Sequence, residues 1–118
     1  VKIVQAFRFE AAHQLPNVPE THRCHRMHGH SYRVELKLDG AVDPVTGFVA
    51  DFFDIEAAFH PWLDTMDHHC LNDISGLENP TAENIAAWIW AKVKPALPLL
   101  ASVIVYETQD CWAEYDGA

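Results

Sequence analysis

Positive charge is scarce in this chain: eight lysines and arginines face seventeen aspartates and glutamates, for a net charge of −9 with histidine neutral. Binding along a nucleic-acid backbone needs clustered cations, so a nucleic-acid partner is excluded. Uninterrupted apolar runs are also short, because Lys92, Lys94, Pro95 and Pro98 break the longest of them well before the roughly 18 residues a membrane span needs. No membrane partner is expected. Cysteine is limited to Cys24, Cys70 and Cys111, an odd number at wide spacing that makes no disulfide framework. Linkers, low-complexity runs and repeats are lacking, and no cationic, apolar leader opens the chain, so a single domain over residues 1–118 in the cytoplasm is expected.

What the chain does have is alternation. From His28 the even positions are His28, His30, Tyr32, Val34, Leu36 and Leu38, whereas Arg33, Glu35, Lys37 and Asp39 take the odd ones. Side chains on a strand repeat every second residue, so the parity that sends Val34, Leu36 and Leu38 into a core sends His28 and His30 to the same side. Residues 1–13 alternate likewise, with Ile3, Phe7, Phe9, Ala11 and His13 on one face. Antiparallel pairing of the two strands, across a long loop with Pro16 and Pro19, brings His13 toward His28 and His30.

Helical spacing follows. Asp51 reads as an N-cap with Asp54 in the first turn, and Phe52, Ile55, Phe59 and Trp62 or Leu63 form an apolar stripe over about 51–65, with a kink expected at Pro61. A second helix starts at the cap Thr81, carries Ile85, Trp88, Ile89 and Val93 inward and stops at Pro95. VIVYET (103–108) and CWAEYD (111–116) are two further strands. The order ββααββ predicts an α+β domain with both helices on one face of an antiparallel sheet.

Three inward imidazoles suit a divalent metal, zinc above all, since a catalytic zinc takes three protein ligands and keeps one position open. Next-but-one strand residues lie about 6.6 Å apart at the backbone, close enough for His28 and His30 to tilt toward one ion. Cys24, flanked by Arg23, His25 and Arg26, has the positive surroundings of a reactive thiolate, and it also fits a fourth metal ligand or an inert loop thiol. Arg23 and Arg26 supply the local positive charge an anionic ligand would need. Asp67 beside His68 and His69 is the arrangement of an acid/base pair or of a capped polar loop. Glu107 is a carboxylate on the apolar parity of its strand, and it needs either a cation or a ligand with two adjacent N–H donors.

FEAAH, CHRMHGH, LDTMDHHCLND, ENPTAENIAAWIW and YET together resemble the 6-pyruvoyl-tetrahydropterin synthase family over nearly the whole chain. The resemblance implies a tunnelling fold, whose ββααββ subunits form a trimeric barrel and stack as a homohexamer with active sites at subunit interfaces. It further implies that His13, His28 and His30 hold zinc, that Cys24 is the general base, that Asp67 and His68 transfer protons and that Glu107 takes a pterin. The three-residue gap between Cys24 and His28, with LPNVPE and VDPVTG, is similar to the bacterial branch serving queuosine biosynthesis. That branch converts 7,8-dihydroneopterin triphosphate and water to 6-carboxytetrahydropterin, acetaldehyde and triphosphate, for which Arg23 and Arg26 are the triphosphate candidates. A 6-pyruvoyl-forming synthase, an aldolase-like relative and a closed structural zinc domain are the rivals. His25 beside the base and Cys70 after His69 have no assigned role.

Overall fold

The computed structural model describes all of residues 1–118. Strand β1 (Lys2–His13) and strand β2 (His28–Asp39) form a long antiparallel ribbon whose register runs without a slip from Lys2↔Asp39 to His13↔His28. Parity decides burial as expected: Phe7, Phe9, Ala11 and His13 of β1 and Tyr32, Val34, Leu36 and Leu38 of β2 are buried. Phe9 stacks on Tyr32 across the ribbon with ring centroids 4.8 Å apart.

Helix α1 (Phe52–Met66) begins where Asp51 accepts the Phe53 N–H at 2.9 Å. It continues unbroken through Pro61 and ends one residue beyond the expected limit. Ile55, Phe59 and Met66 are buried, but Phe52 stays half exposed, because burial begins only one turn into the helix. After α1 comes an element the sequence reading missed, the two-residue strand β3 (His69–Cys70), parallel to β1 with Ala11↔His69 and Ala12↔Cys70. Two residues carry no period to read.

Helix α2 (Ala82–Val93) is capped by Thr81, which accepts the Asn84 N–H at 3.1 Å, and buries Ile85, Ala86, Ile89 and Val93. Trp88 lies at the rim instead, its indole N–H donated to the Ser75 carbonyl at 3.1 Å. Strand β4 (Leu100–Tyr106) starts earlier than VIVYET suggests, because an irregularity at Lys37/Leu38 lets Leu100 pair with Leu38. Strand β5 (Trp112–Tyr115) completes a sheet of order β3-β1-β2-β4-β5. α1 covers β1, and α2 covers β4 and β5. No helix is long and apolar enough to cross a membrane.

The radius of gyration is 15.2 Å, against about 13.5 Å for a compact chain of this length. The excess is the long ribbon. Phe59 anchors the core beneath it, edge-on to Phe7 at 4.8 Å. Phe59→Ala should therefore cost about 3–5 kcal/mol, read as a lower urea midpoint at an unchanged m-value.

Candidate metal centre and active site

His13 ends β1 and His28 opens β2, paired directly opposite one another, while His30 faces Ala11. The shared parity brings the three rings together, with centroids 4.5, 5.0 and 5.0 Å apart and one ligand nitrogen of each within 4.8 Å of the others. His13 is wholly buried and the other two half-buried. Backbone carbonyls fix the tautomers of two rings: His13 Nδ1 lies 2.8 Å from the Pro80 oxygen, and His28 Nδ1 lies 2.7 Å from the Arg26 oxygen. A carbonyl only accepts, so both Nδ1 atoms carry the proton and both Nε2 atoms present lone pairs.

Those two Nε2 atoms are 3.0 Å apart. Lone pairs at that distance repel unless a cation lies between them, and two ligands of a tetrahedral zinc sit about 3.3 Å apart. The Nε2 of His30 is buried with no hydrogen-bond partner. Burial holds His13 and His30 below the usual imidazole range, opposed less strongly by the Pro80 hydrogen bond at His13 and by Glu107 at His30, so both rings are in the neutral, metal-binding form. The residues present fit a zinc ion: two oriented imidazoles and a third with an orphaned nitrogen. Behind them the Tyr32 hydroxyl lies 3.2 Å from His13 Nδ1, and burial raises its pKa so that it remains a neutral phenol.

Glu107 follows the last residue of β4, where its N–H closes the turn onto the Cys111 carbonyl at 3.1 Å. Its carboxylate reaches to 3.4 Å from the His30 Nε2 without hydrogen-bonding it, and with His30 neutral the contact is not an ion pair. The carboxylate that sequence parity sends inward thus stands beside the three imidazoles.

Cys24 lies in a 3-10 turn, Arg23–His25, capped by His22, whose Nδ1 accepts the Cys24 N–H at 3.0 Å. The Cys24 carbonyl accepts the Leu15 N–H at 2.8 Å, tying the loop's far limb to its start. Its side chain is half-buried; Arg23 and Arg26 are exposed and make no ion pair.

Asp67 caps the C-terminus of α1, and one of its oxygens accepts the Glu10 N–H at 2.9 Å and lies 3.0 Å from His68 Nδ1. His68 adopts a left-handed backbone at φ 60°, and its N–H bonds back to the Glu10 carbonyl. Chiefly the Glu10 N–H, and secondarily His68, hold the Asp67 carboxyl below the usual carboxylate range. Deprotonation therefore favours the folded state, a contribution complete at neutral pH and lost only as pH falls through the depressed value. Asp67→Asn should flatten the acid limb of the stability profile below the ordinary carboxylate range, measured by urea titration at successive pH values.

His68 lines a cleft of about 450 Å³ with Glu10, Gly29, His30, Ser31 and His69. Glu10 and Ser31 belong to the outward parity and are joined at 2.7 Å. The structure thus brings His13, His28, His30 and Glu107 together and separately joins Asp67 to His68 on the β3 side of β1, with His30 and His68 both lining the cleft. Gly29, between His28 and His30, lines the same cleft, and a Cβ there would lie 3.3 Å from the Ala11 carbonyl. Sequence reasoning missed Glu10, Ser31 and the Pro80 carbonyl. Outward alternation could have flagged the first two, whereas a backbone acceptor leaves no trace in residue type.

The chain is 45% identical to the 6-carboxy-5,6,7,8-tetrahydropterin synthase of Synechocystis sp., over 96% of this chain and 91% of that protein. It is 31% identical to the dihydroneopterin monophosphate aldolase of Pyrococcus furiosus, over 82% and 78% of the two chains. The structure of the Caenorhabditis elegans 6-pyruvoyl tetrahydropterin synthase superposes with a TM-score of 0.92 at 29% identity, covering 100% of this chain and 96% of that one. The five-stranded sheet with two helices is accordingly a tunnelling-fold subunit, here as an open sheet. Since the model of the 6-pyruvoyl tetrahydropterin synthase family also matches residues 2–118, the chain belongs to that family.

Proposed function

We propose that this chain is a cytoplasmic, zinc-dependent 6-carboxy-5,6,7,8-tetrahydropterin synthase of queuosine biosynthesis, converting 7,8-dihydroneopterin triphosphate and water to 6-carboxytetrahydropterin, acetaldehyde and triphosphate. The observation that carries this reading is Glu107, a carboxylate 3.4 Å from the His30 Nε2 at the edge of a three-imidazole centre. Similarity to the Synechocystis enzyme favours it over both rivals, while the short Cys24 to His28 spacing speaks against the 6-pyruvoyl-forming activity and the presence of Cys24 rather than a glutamate against the aldolase.

A pterin presents its 2-amino group and ring N3–H as parallel donors, and Glu107 accepts both as a fork. With the ring held there, the side chain of the substrate extends over His13, His28 and His30. The chemistry a bound zinc supplies is Lewis acidity, which polarises side-chain oxygens and acidifies the neighbouring C–H. Cys24 removes that proton, Asp67 and His68 return protons, and Arg23 and Arg26 face the triphosphate. Asp67 and His68 are bonded to each other and to Glu10 rather than to the three imidazoles, and the pair of one subunit serves the centre of another. A homohexamer built as two trimeric barrels supplies that arrangement, closing the sheet edges at β3 and β5.

Equilibrium titration with a dihydropterin tests the reading. Glu107→Gln should weaken binding roughly 10- to 100-fold, as a donor replaces one acceptor of the fork, with zinc content unchanged. Wild-type affinity in Glu107→Gln would overturn it.

A further inference from the structure

One side chain outside the assigned roles ties the segment bearing Asp67 and His68 to the loop bearing Cys24. After pairing with β1, residues 69–70 run into the 3-10 turn Leu71–Asp73, and the chain leaves the sheet edge. The side chain of Asn72 then takes the place the next strand residue would have filled. Its Oδ1 accepts the Gln14 N–H at 2.9 Å, and its Nδ2 donates to the Gln14 carbonyl at 2.8 Å and to the Glu78 carbonyl at 3.4 Å. Only a carboxamide reproduces both halves of a peptide group in this way.

Gln14 directly follows the metal-ligand candidate His13, and the next residue, Leu15, donates its N–H to the Cys24 carbonyl at 2.8 Å. Two hydrogen bonds between Asn72 and Gln14 and one between Leu15 and Cys24, joined by the Gln14–Leu15 peptide bond, therefore connect the β3 segment to Cys24. The loop between β1 and β2 contains only the short turn at Arg23–His25, so its register depends on such ties. At its other end the Arg26 carbonyl is held by His28, and Met27 Sδ meets Cys70 Sγ at 3.9 Å.

We infer that Asn72 is a positioning residue, fixing the register in which the loop presents Cys24. Its catalytic consequence rests on the reading of Cys24 as the base; its effect on the loop does not. Asn72→Asp keeps the shape but replaces the Nδ2 donor with an oxygen facing the Gln14 and Glu78 carbonyls, which turns two attractions into repulsions. Asn72→Ala removes the bonds without adding repulsion and carries the same test should the aspartate variant fail to fold.

The experiment uses the zinc-loaded full chain and reads kcat, KM, zinc content and the iodoacetamide alkylation rate of Cys24 relative to exposed Cys111, resolved by peptide mass spectrometry. Asn72→Asp should lower kcat on the order of 10- to 100-fold, since about 1 Å of misplacement has that effect, with KM and zinc unchanged. The Cys24 to Cys111 alkylation ratio should rise as the loop loosens, and Asn72→Gln, which keeps both amide groups, should recover part of kcat. A merely structural residue would lower the melting temperature and leave the ratio and kcat at wild-type values; that result overturns the inference, as does loss of zinc. If Cys24→Ala retains turnover, the base reading falls while a raised ratio still upholds the loop tie. If Cys24→Ala is inactive and Asn72→Asp changes neither kcat nor the ratio, the positioning inference falls alone.

Discussion

Cys24→Ala is expected to lose turnover by a factor on the order of 10²–10⁴ while keeping its fold, its zinc and its affinity for the pterin. The preservation of structure follows from how the residue is held. Cys24 is fixed by its backbone, through its N–H to His22 and its carbonyl from Leu15, and alanine retains both bonds. What alanine removes is a thiol half-buried in a turn that also carries Arg23 and His25. If the thiol were instead the fourth ligand of a closed structural site, the same substitution would weaken metal binding and folding together. Zinc content, melting temperature and single-turnover rate of one variant therefore separate the two roles. Full turnover in Cys24→Ala would pass the role of base to His25, the neighbouring group able to take a proton.

The second large effect is on the metal. The protein should carry about one zinc per chain, and His28→Ala or His30→Ala should lose it. The three histidines are not equivalent when metal is withdrawn. His13→Ala strands the buried Pro80 carbonyl and the Tyr32 hydroxyl, which by itself costs about 1–3 kcal/mol. His30→Ala removes a nitrogen that already lacks a partner, so its metal-free form should be at least as stable as metal-free wild type. Chelator should lower the melting temperature of wild type and leave that of His30→Ala unmoved. Full zinc occupancy in a variant lacking His13, His28 and His30 would contradict the site.

Much of this was legible because β1 and β2 are long and alternate cleanly. The parity of Val34, Leu36 and Leu38 fixes where His28 and His30 point, and antiparallel pairing then delivers His13, with no tertiary information beyond the pairing. The caps Asp51 and Thr81 were legible for the same reason, being local chemistry at a chain position. Strand β3 was not, since His69 and Cys70 pair with β1 only because α1 ends beside it and Asp67 and His68 bond to Glu10. The start of β4 was hidden by an irregularity in its partner strand. Nor could residue types disclose that Asp67 and His68 bond to the Glu10 backbone rather than to the three imidazoles, because where a returning loop meets the sheet is decided by the path of α1. The Pro80 carbonyl and the Asn72 bridge were hidden for a related reason: each depends on a backbone group brought from a distant segment.

The most direct measurement is product analysis after incubating the zinc-loaded chain with 7,8-dihydroneopterin triphosphate. Chromatography with mass detection should find 6-carboxytetrahydropterin and equimolar acetaldehyde, both abolished in Cys24→Ala. A pterin that retains every side-chain carbon, with no acetaldehyde released, would contradict the account.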